Sequence, residues 1–371
     1  MVYLIIFCNG VGVVPCFDPL YAREVTPGAG DWQRMRYYQY WATPRYSATG
    51  VPLEYEPVRP QRSFQFLKEY GPEDFERDLK AGDPPLRFPC RKCLGCRLSH
   101  SQEWANRILM ELCYHQDAWF LTLTYSDDNV PRTFSCDQET GEIISPVMTL
   151  VKKDFQDFMK RLRFNSKQDI RYYAAGEYGD KSARPHYHII LFGLHLDDIM
   201  PLSKSFSGEQ YFISPFISKC WPFGHHVLGQ VSFESAAYVA RYTMKKANKD
   251  FNSNYYEIAN IESEFQVMSN RPGIASQFFF DHLDMFYFDS FYVETPSGST
   301  KIFPPEYFRK LYKKHIVDGE EYLYYKSLDG IKRRDLRDKI KSSLTDNSYR
   351  VMLSIEEEKL ESRLSSLIRE L

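Results

Sequence analysis

Apolar positions along the middle of the chain switch between a helical period and a period of two, and the switches mark out its elements. Ala105, Ile108, Leu109 and Leu112 recur at helical spacing behind Ser99 and Gln102, which are placed as in a capping box. Residues 118–125 (Ala-Trp-Phe-Leu-Thr-Leu-Thr-Tyr) read as a strand closed by the turn-like Ser126-Asp127-Asp128-Asn129. Phe155, Phe158, Met159 and Leu162 give one face of a helix whose other face carries Lys153, Lys160, Arg161 and Arg163. Residues 170–177 and 186–192 read as two strands joined by loop 179–184, and a helix follows over about 235–249. Strand, helix, strand-loop-strand, helix is the order of an α+β fold.

The two ends are less regular. Residues 1–85 are rich in Tyr, Pro, Arg and Gly with little periodicity, which predicts a loop-rich N-terminal arm ahead of a core domain at 86–250. Residues 251–371 form a C-terminal extension, aromatic at first (Phe278-Phe279-Phe280, Phe286-Tyr287-Phe288). It ends in an amphipathic helix with Ser354 and Glu357 as its cap and Leu360, Leu364, Leu367, Ile368 and Leu371 on one face. That face is expected to dock on the body of the protein.

Composition adds few exclusions. At 371 residues, 43% hydrophobic and 26% charged, the chain is an ordinary globular one, and no run of apolar residues is long enough to span a membrane. The apolar start at 2–8 has no basic residue before it and breaks at Asn9-Gly10, which reads against a secretory signal. Eight cysteines, three of them in one short motif, fit a reducing compartment better than a disulfide scaffold. The net charge of −2 hides local bias: residues 86–107 carry five basic side chains against one acidic, and 150–171 carry seven against three. A phosphate backbone responds to that local field, although the total alone leaves solvated helix faces as an equal reading.

The segment Arg184-Pro-His186-Tyr187-His188-Ile-Ile-Leu-Phe192-Gly193 carries the chemistry. Residues i and i+2 of a strand project from one face, so His186 and His188 aim two imidazoles at one point. A hairpin turn centred near Lys181 and Ser182 sets Glu177 opposite His186, facing the same way. Two imidazoles and a carboxylate suit Mn²⁺ or Mg²⁺ with coordination positions left open. In the next helix Tyr238, Tyr242 and Lys245 fall on one stripe that Lys249 extends, while Ala236, Val239, Ala240 and Thr243 form a small, apolar opposite face. A phenol becomes a nucleophile for phosphate once nearby positive charge offsets its pKa of about 10.

Phe120-Leu-Thr-Leu-Thr-Tyr125, the Arg184–Gly193 segment and Tyr238-Val-Ala-Arg-Tyr-Thr-Met-Lys-Lys246 resemble motifs 1, 2 and 3 of the HUH rolling-circle endonucleases. More narrowly, the chain is similar to the replication initiation proteins of gokushoviruses, single-stranded-DNA phages of the microvirus group. Pro89-Cys-Arg-Lys-Cys-Leu-Gly-Cys-Arg97, Gly176-Glu-Tyr-Gly179, Trp221-Pro-Phe-Gly224, Phe233-Glu-Ser-Ala-Ala-Tyr-Val-Ala-Arg241 and Met268-Ser-Asn-Arg-Pro-Gly273 support the likeness, which runs from about Cys16 to about Tyr312.

The resemblance implies a central antiparallel sheet with flanking helices, related to the RNA-recognition fold. It implies Glu177, His186 and His188 as metal ligands, Tyr238 or Tyr242 as nucleophile and Lys245 as its assistant. The activity implied is nicking of one strand at a phage origin, single-stranded or supercoiled. The protein stays on the 5′ end and later rejoins the displaced strand, working with host helicase and polymerase in the bacterial cytoplasm. Lys153, Lys160, Arg161, Arg163, Arg184, Lys246 and Lys249 are the expected DNA contacts. The family start corresponds to about Val14, so residues 1–12 read as an addition without a role.

Cys90-x-x-Cys93-x-x-Cys96 has the spacing of thiolates sharing a metal, with Cys16, His100 and Cys113 as candidates for a fourth ligand. Structural Zn²⁺ and plain reduced thiols both fit that spacing; redox catalysis fits it less well. No Gly-x-x-x-x-Gly-Lys-Ser/Thr is present, so strand separation is left to a host helicase. Two other readings compete: a nucleic-acid-binding module that does not cut, and a plasmid-type relaxase or transposase. The Tyr238/Tyr242/Lys245 stripe separates the first from an enzyme, and the phage-like flanking motifs speak against the second.

Overall fold

The computed structural model describes residues 16–25, 63–134, 146–179, 182–204, 208, 210–231, 236, 256, 259–288, 290–295, 298–316 and 319–368. Strands β1 (Leu20–Val25) and β2 (Ser63–Phe66) come first, then helix α1 (Pro72–Ala81) and strand β3 (Leu86–Phe88). Helix α2 (Leu94–Leu112) leads into β4 (Ala118–Tyr125), the short β5 (Arg132–Thr133) and β6 (Val147–Met148), and helix α3 (Lys152–Ser166). The hairpin β7 (Arg171–Tyr178) and β8 (Pro185–Phe192) is followed by β9 (Met200–Lys204), β10 (Gln210–Ile213), α4 (Pro215–Cys220) and β11 (Gly224–Gln230). After β12 (Phe265–Met268) come α5 (Ser276–Asp281), β13 (Phe291–Thr295) and β14 (Gly298–Ile302). Helices α6 (Glu306–His315), α7 (Gly319–Ser343) and α8 (Tyr349–Ile368) close the order.

These elements fall into two compact units, one formed by Arg97–Pro304 and one by Gly12–Cys96 with Pro305–Leu371. The first is built on a sheet of seven described strands in the order β12-β7-β8-β4-β11-β10-β9, every neighbouring pair antiparallel. The α+β class with a central antiparallel sheet is therefore as expected. Alternation along the strands divides the core. Leu121, Leu123 and Tyr125 of β4 and Tyr187, Ile189 and Leu191 of β8 point to one face, where α3 buries Phe155, Phe158, Met159 and Leu162. At roughly 1.5–3 kcal/mol per buried large side chain, that stripe alone anchors the helix. Phe120, Tyr173, Ala175, Ile190 and Phe192 point to the other face, against Trp104, Ile108 and Leu112 of α2, Ala236 and Ile274.

Charged groups fix the loop before α5. The Glu111 carboxylate accepts from Arg171, from the Ala275 backbone amide at 2.6 Å and from His115 at 3.3 Å. Arg171 donates onward to the carbonyls of Pro272 and Gly273, and Arg107 to that of Ile274. The Met268–Gly273 motif is thus clamped from three side chains. Gly224 has a steric reason: a Cβ there would lie 2.3 Å from the Thr124 carbonyl oxygen and 2.4 Å from the Ser126 amide nitrogen.

In the second unit β2-β1-β3 form a three-stranded sheet. Phe17, Tyr21, Phe75, Leu79, Tyr349 and Leu353 pack into its core, and Leu360 lies against them. Arg87 donates to Asp335 and Asp338 at 2.6 Å each and stacks over Phe75. Two helix starts differ from the sequence reading. Helix α2 begins at Leu94, so Ser99 lies inside it, and α8 begins at Tyr349, with the Ser354 hydroxyl donating to the Val351 carbonyl. Each helix starts a turn or more earlier because tertiary anchors, the cysteine cluster for one and the Glu76 carboxylate on the Tyr349 amide for the other, organise that turn.

Candidate functional site

Strands β7 and β8 pair with Glu177 opposite His186 and Ala175 opposite His188. The polar residues sit at the open end of the hairpin, on the sheet face that buries Ile190 and Phe192 further along. Glu177 Oε1 lies 2.6 Å from His186 Nε2 and 2.8 Å from His188 Nε2. The imidazole rings stand nearly perpendicular, with centroids 4.9 Å apart. Glu177, His186 and His188 thus form the converging set expected from the sequence. Glu177 is buried; burial works to raise its carboxyl pKa, but the hydrogen bonds to His186 and His188 outweigh it and hold the group below its ordinary value.

The partners behind the rings orient them. His186 Nδ1 lies 2.9 Å from the Arg184 carbonyl oxygen, which can only accept, so Nδ1 carries the proton and Nε2 faces Glu177 as a lone pair. His188 Nδ1 lies 3.1 Å from the Thr122 hydroxyl, and its ring stacks on Phe120 at 5.7 Å. Two imidazole nitrogens and a carboxylate oxygen directed at one point, each braced from behind, match a site for a divalent cation. Thr122 and Phe120 belong to Phe120-Leu-Thr-Leu-Thr-Tyr125, yet the sequence reading gave neither a role. The signal was available: both lie on the sheet face of the histidines, Thr122 paired with His188.

The other expected site residues separate into groups. Tyr238, Tyr242, Lys245, Lys246 and Lys249 lie outside the described residues. Ala236, just before them, is fully buried against Ile190 and Ile108, on the histidine face. Arg184 is at the site, but its guanidinium donates to the Tyr125 carbonyl at 2.8 Å and to Asp127 at 2.7 Å. Lys153, Lys160, Arg161 and Arg163 are all on α3, which packs the opposite face of the sheet. There Lys153 and Lys160 pair with Asp157, Arg161 holds the Cys220 carbonyl and Arg163 that of Ile170. The structure does not bring these four to the histidine pair.

A second donor set lies in the other unit. The sulfur atoms of Cys16, Cys90, Cys93 and Cys96 all lie within 4.8 Å of one another. Of the candidate fourth ligands, Cys16 is the one that joins; His100 sits further along α2, edge-on to Trp104, and Cys113 is exposed beyond its far end. Among the described residues no helix is long and apolar enough to cross a membrane.

Residues 118–247 match the family model for the ORF2 class of replication-associated proteins. The chain is 33% identical to replication-associated protein ORF2 of Spiroplasma virus 4, over 76% of this chain and 85% of that protein. It is 33% identical to replication-associated protein VP4 of Bdellovibrio phage phiMH2K, over 67% and 74%, and 28% identical to replication-associated protein ORF4 of Chlamydia phage 1, over 65% and 58%. No solved structure matches. With a third of its positions shared across most of the length of two such proteins, the chain belongs to the family of phage replication-associated proteins.

Proposed function

We propose that this protein initiates rolling-circle replication of a circular single-stranded-DNA phage genome, as a metal-dependent tyrosine endonuclease and strand transferase of the HUH type. The observation that carries this reading is the convergence of Glu177, His186 and His188 at the open end of β7 and β8, with Ala236 buried on the same face of the sheet. A divalent cation held there, Mn²⁺ or Mg²⁺, would polarise a scissile phosphate. The two imidazoles favour Mn²⁺, since Mg²⁺ prefers oxygen donors. The four cysteines are the set suited to a structural Zn²⁺.

The chain's own residues perform the remaining work. The phenolic oxygen of Tyr238 or Tyr242 attacks phosphorus, forming a phosphotyrosine on the 5′ side, while the departing 3′ oxygen takes a proton and becomes a primer hydroxyl. Lys245 offsets the charge of the phenolate. The aryl ester keeps the bond energy, so resealing by a 3′ hydroxyl requires no nucleotide. Two tyrosines allow one to hold DNA while the other cuts the displaced strand. Origin recognition draws on Arg184, Lys246 and Lys249 near the site and on Lys153, Lys160, Arg161 and Arg163 elsewhere. The setting is the bacterial cytoplasm, with host helicase opening the duplex and host polymerase extending the primer.

The test is a nicking assay with Mn²⁺ on a labelled single-stranded origin fragment, comparing wild type, Tyr238→Phe, Tyr242→Phe and the double variant. The expected result is a denaturation-resistant adduct on the 5′ side that the double variant cannot form. Tight binding of the fragment without any adduct would favour a binding module that does not cut.

A further inference from the structure

The sulfur geometry of the second unit is that of one four-coordinate ion. Cys16 Sγ lies 3.8 Å from Cys93 Sγ, and Cys90 Sγ lies 3.9 Å from Cys96 Sγ. A tetrahedron with Zn–S bonds of about 2.3 Å has S–S edges of about 3.8 Å. A disulfide needs about 2.05 Å, so neither pair is bonded. An iron–sulfur cluster, which places inorganic sulfide between its thiolates, would hold them well beyond these separations.

Backbone amides turn toward the same sulfurs. The amides of Lys92 and Cys93 donate to Cys90 Sγ at 3.4 and 3.3 Å, that of Phe17 to Cys93 Sγ at 3.3 Å, and that of Cys90 to Cys16 Sγ at 3.3 Å. A neutral thiol is a weak acceptor, whereas a metal-bound thiolate carries charge that such donors offset. The left-handed backbone of Arg91 (φ 64°) folds the chain so that two amides reach one sulfur. Arg91 and Lys92, both exposed, lie beside a centre that four thiolates and one divalent ion would leave with two negative charges.

We infer that Cys16, Cys90, Cys93 and Cys96 hold a single Zn²⁺ as a closed tetrathiolate centre, which staples the residues before β1 to the start of α2. Four protein ligands leave no position for substrate, so the site is structural. It joins chain segments 74 residues apart, beside a small core that includes Phe17 and Cys93. A small core with a three-stranded sheet gains most from such a link.

The full-length chain, purified under reducing conditions, tests this by metal analysis and by exchange with Co²⁺. About one zinc per chain is expected, with a cobalt spectrum showing the strong thiolate charge-transfer bands of four sulfur ligands. Cys16→Ser should lower zinc content or shift that spectrum to three-sulfur coordination, while Cys113→Ser and Cys220→Ser leave both unchanged. His186→Ala and His188→Ala should keep the zinc, which separates this centre from the histidine site. A chain that purifies without metal and unfolds at the same temperature with or without added zinc overturns the inference. So does bound iron with sulfide, or a four-sulfur spectrum that survives Cys16→Ser. Should Cys16→Ser fail to fold, the wild-type cobalt spectrum decides alone.

Discussion

Glu177 and His186 face each other across β7 and β8, and their side chains meet at 2.6 Å on a sheet whose neighbouring positions are apolar. A carboxylate and an imidazole at one cross-strand pair, joined by His188 two residues on, require the strand register to be fixed. A slip of one residue would send His186 and His188 into the α3 core and bring Tyr187 and Ile189 to the site.

Thr122 braces His188 from behind and has no other route to the metal. Thr122→Val keeps the shape of the side chain but removes the hydroxyl at 3.1 Å from Nδ1. Mn²⁺ affinity, measured by titration calorimetry, should fall by about 10–100-fold, and His188→Ala should remove binding. Affinity unchanged in Thr122→Val means that the hydroxyl does not orient the ring.

Gly224 closes the end of the β4–β11 pairing against Tyr125. Its Cβ position is occupied by backbone on β4 and the following turn, which cannot move aside as a flexible side chain would. Gly224→Ala should destabilise the protein by about 3 kcal/mol or more, read as a lower urea midpoint. A midpoint equal to that of wild type would show that the strand end relaxes freely.

The Glu111 carboxyl is raised by burial, yet its hydrogen bonds to His115 and the Ala275 amide, with Arg171, hold it below its ordinary value. A depressed folded-state pKa contributes stability that is complete above the unfolded value of about 4.3 and is lost as pH falls through the folded one. Glu111→Gln should cost about 3 kcal/mol at pH 7, because Arg171 and the Ala275 amide lose a charged partner. It should also flatten the acid limb of the stability curve. An acid limb as steep as that of wild type would move the proton uptake to other carboxylates.

Ala236 is enclosed by Ile108, Tyr173, Ala175, Ile190, Phe192 and Ile274. Ala236→Leu adds three carbons where there is no room, at a cost of about 1–3 kcal/mol. Under the proposed function it should also lower nicking at temperatures where the protein stays folded. Stability and nicking both at wild-type levels would argue that this segment does not need the packing seen at Ala236.

Much of the site could be read from the sequence because a strand's period of two is rigid. His-x-His on an apolar strand, with a loop of known length before it, fixed both the shared face and the opposing position of Glu177. The α3 stripe and the β4 strand were equally local, and Phe155, Phe158, Met159 and Leu162 are buried as their spacing required. Helix starts were less legible, since Ser99 and Ser354 carry capping chemistry but neighbouring tertiary anchors extend each helix past them.

Other features depend on segments distant in sequence and could be decided only by the tertiary structure. The choice of Cys16 over His100 and Cys113 rests on a contact across 74 residues, which spacing within the cysteine motif cannot contain. The sequence correctly gave α3 a basic face; only sheet packing put that helix on the side away from the histidines. Gly224 likewise gains its meaning from a strand about 100 residues earlier. Local periodicity determined which side chains share a face, and the folded chain determined what each face meets.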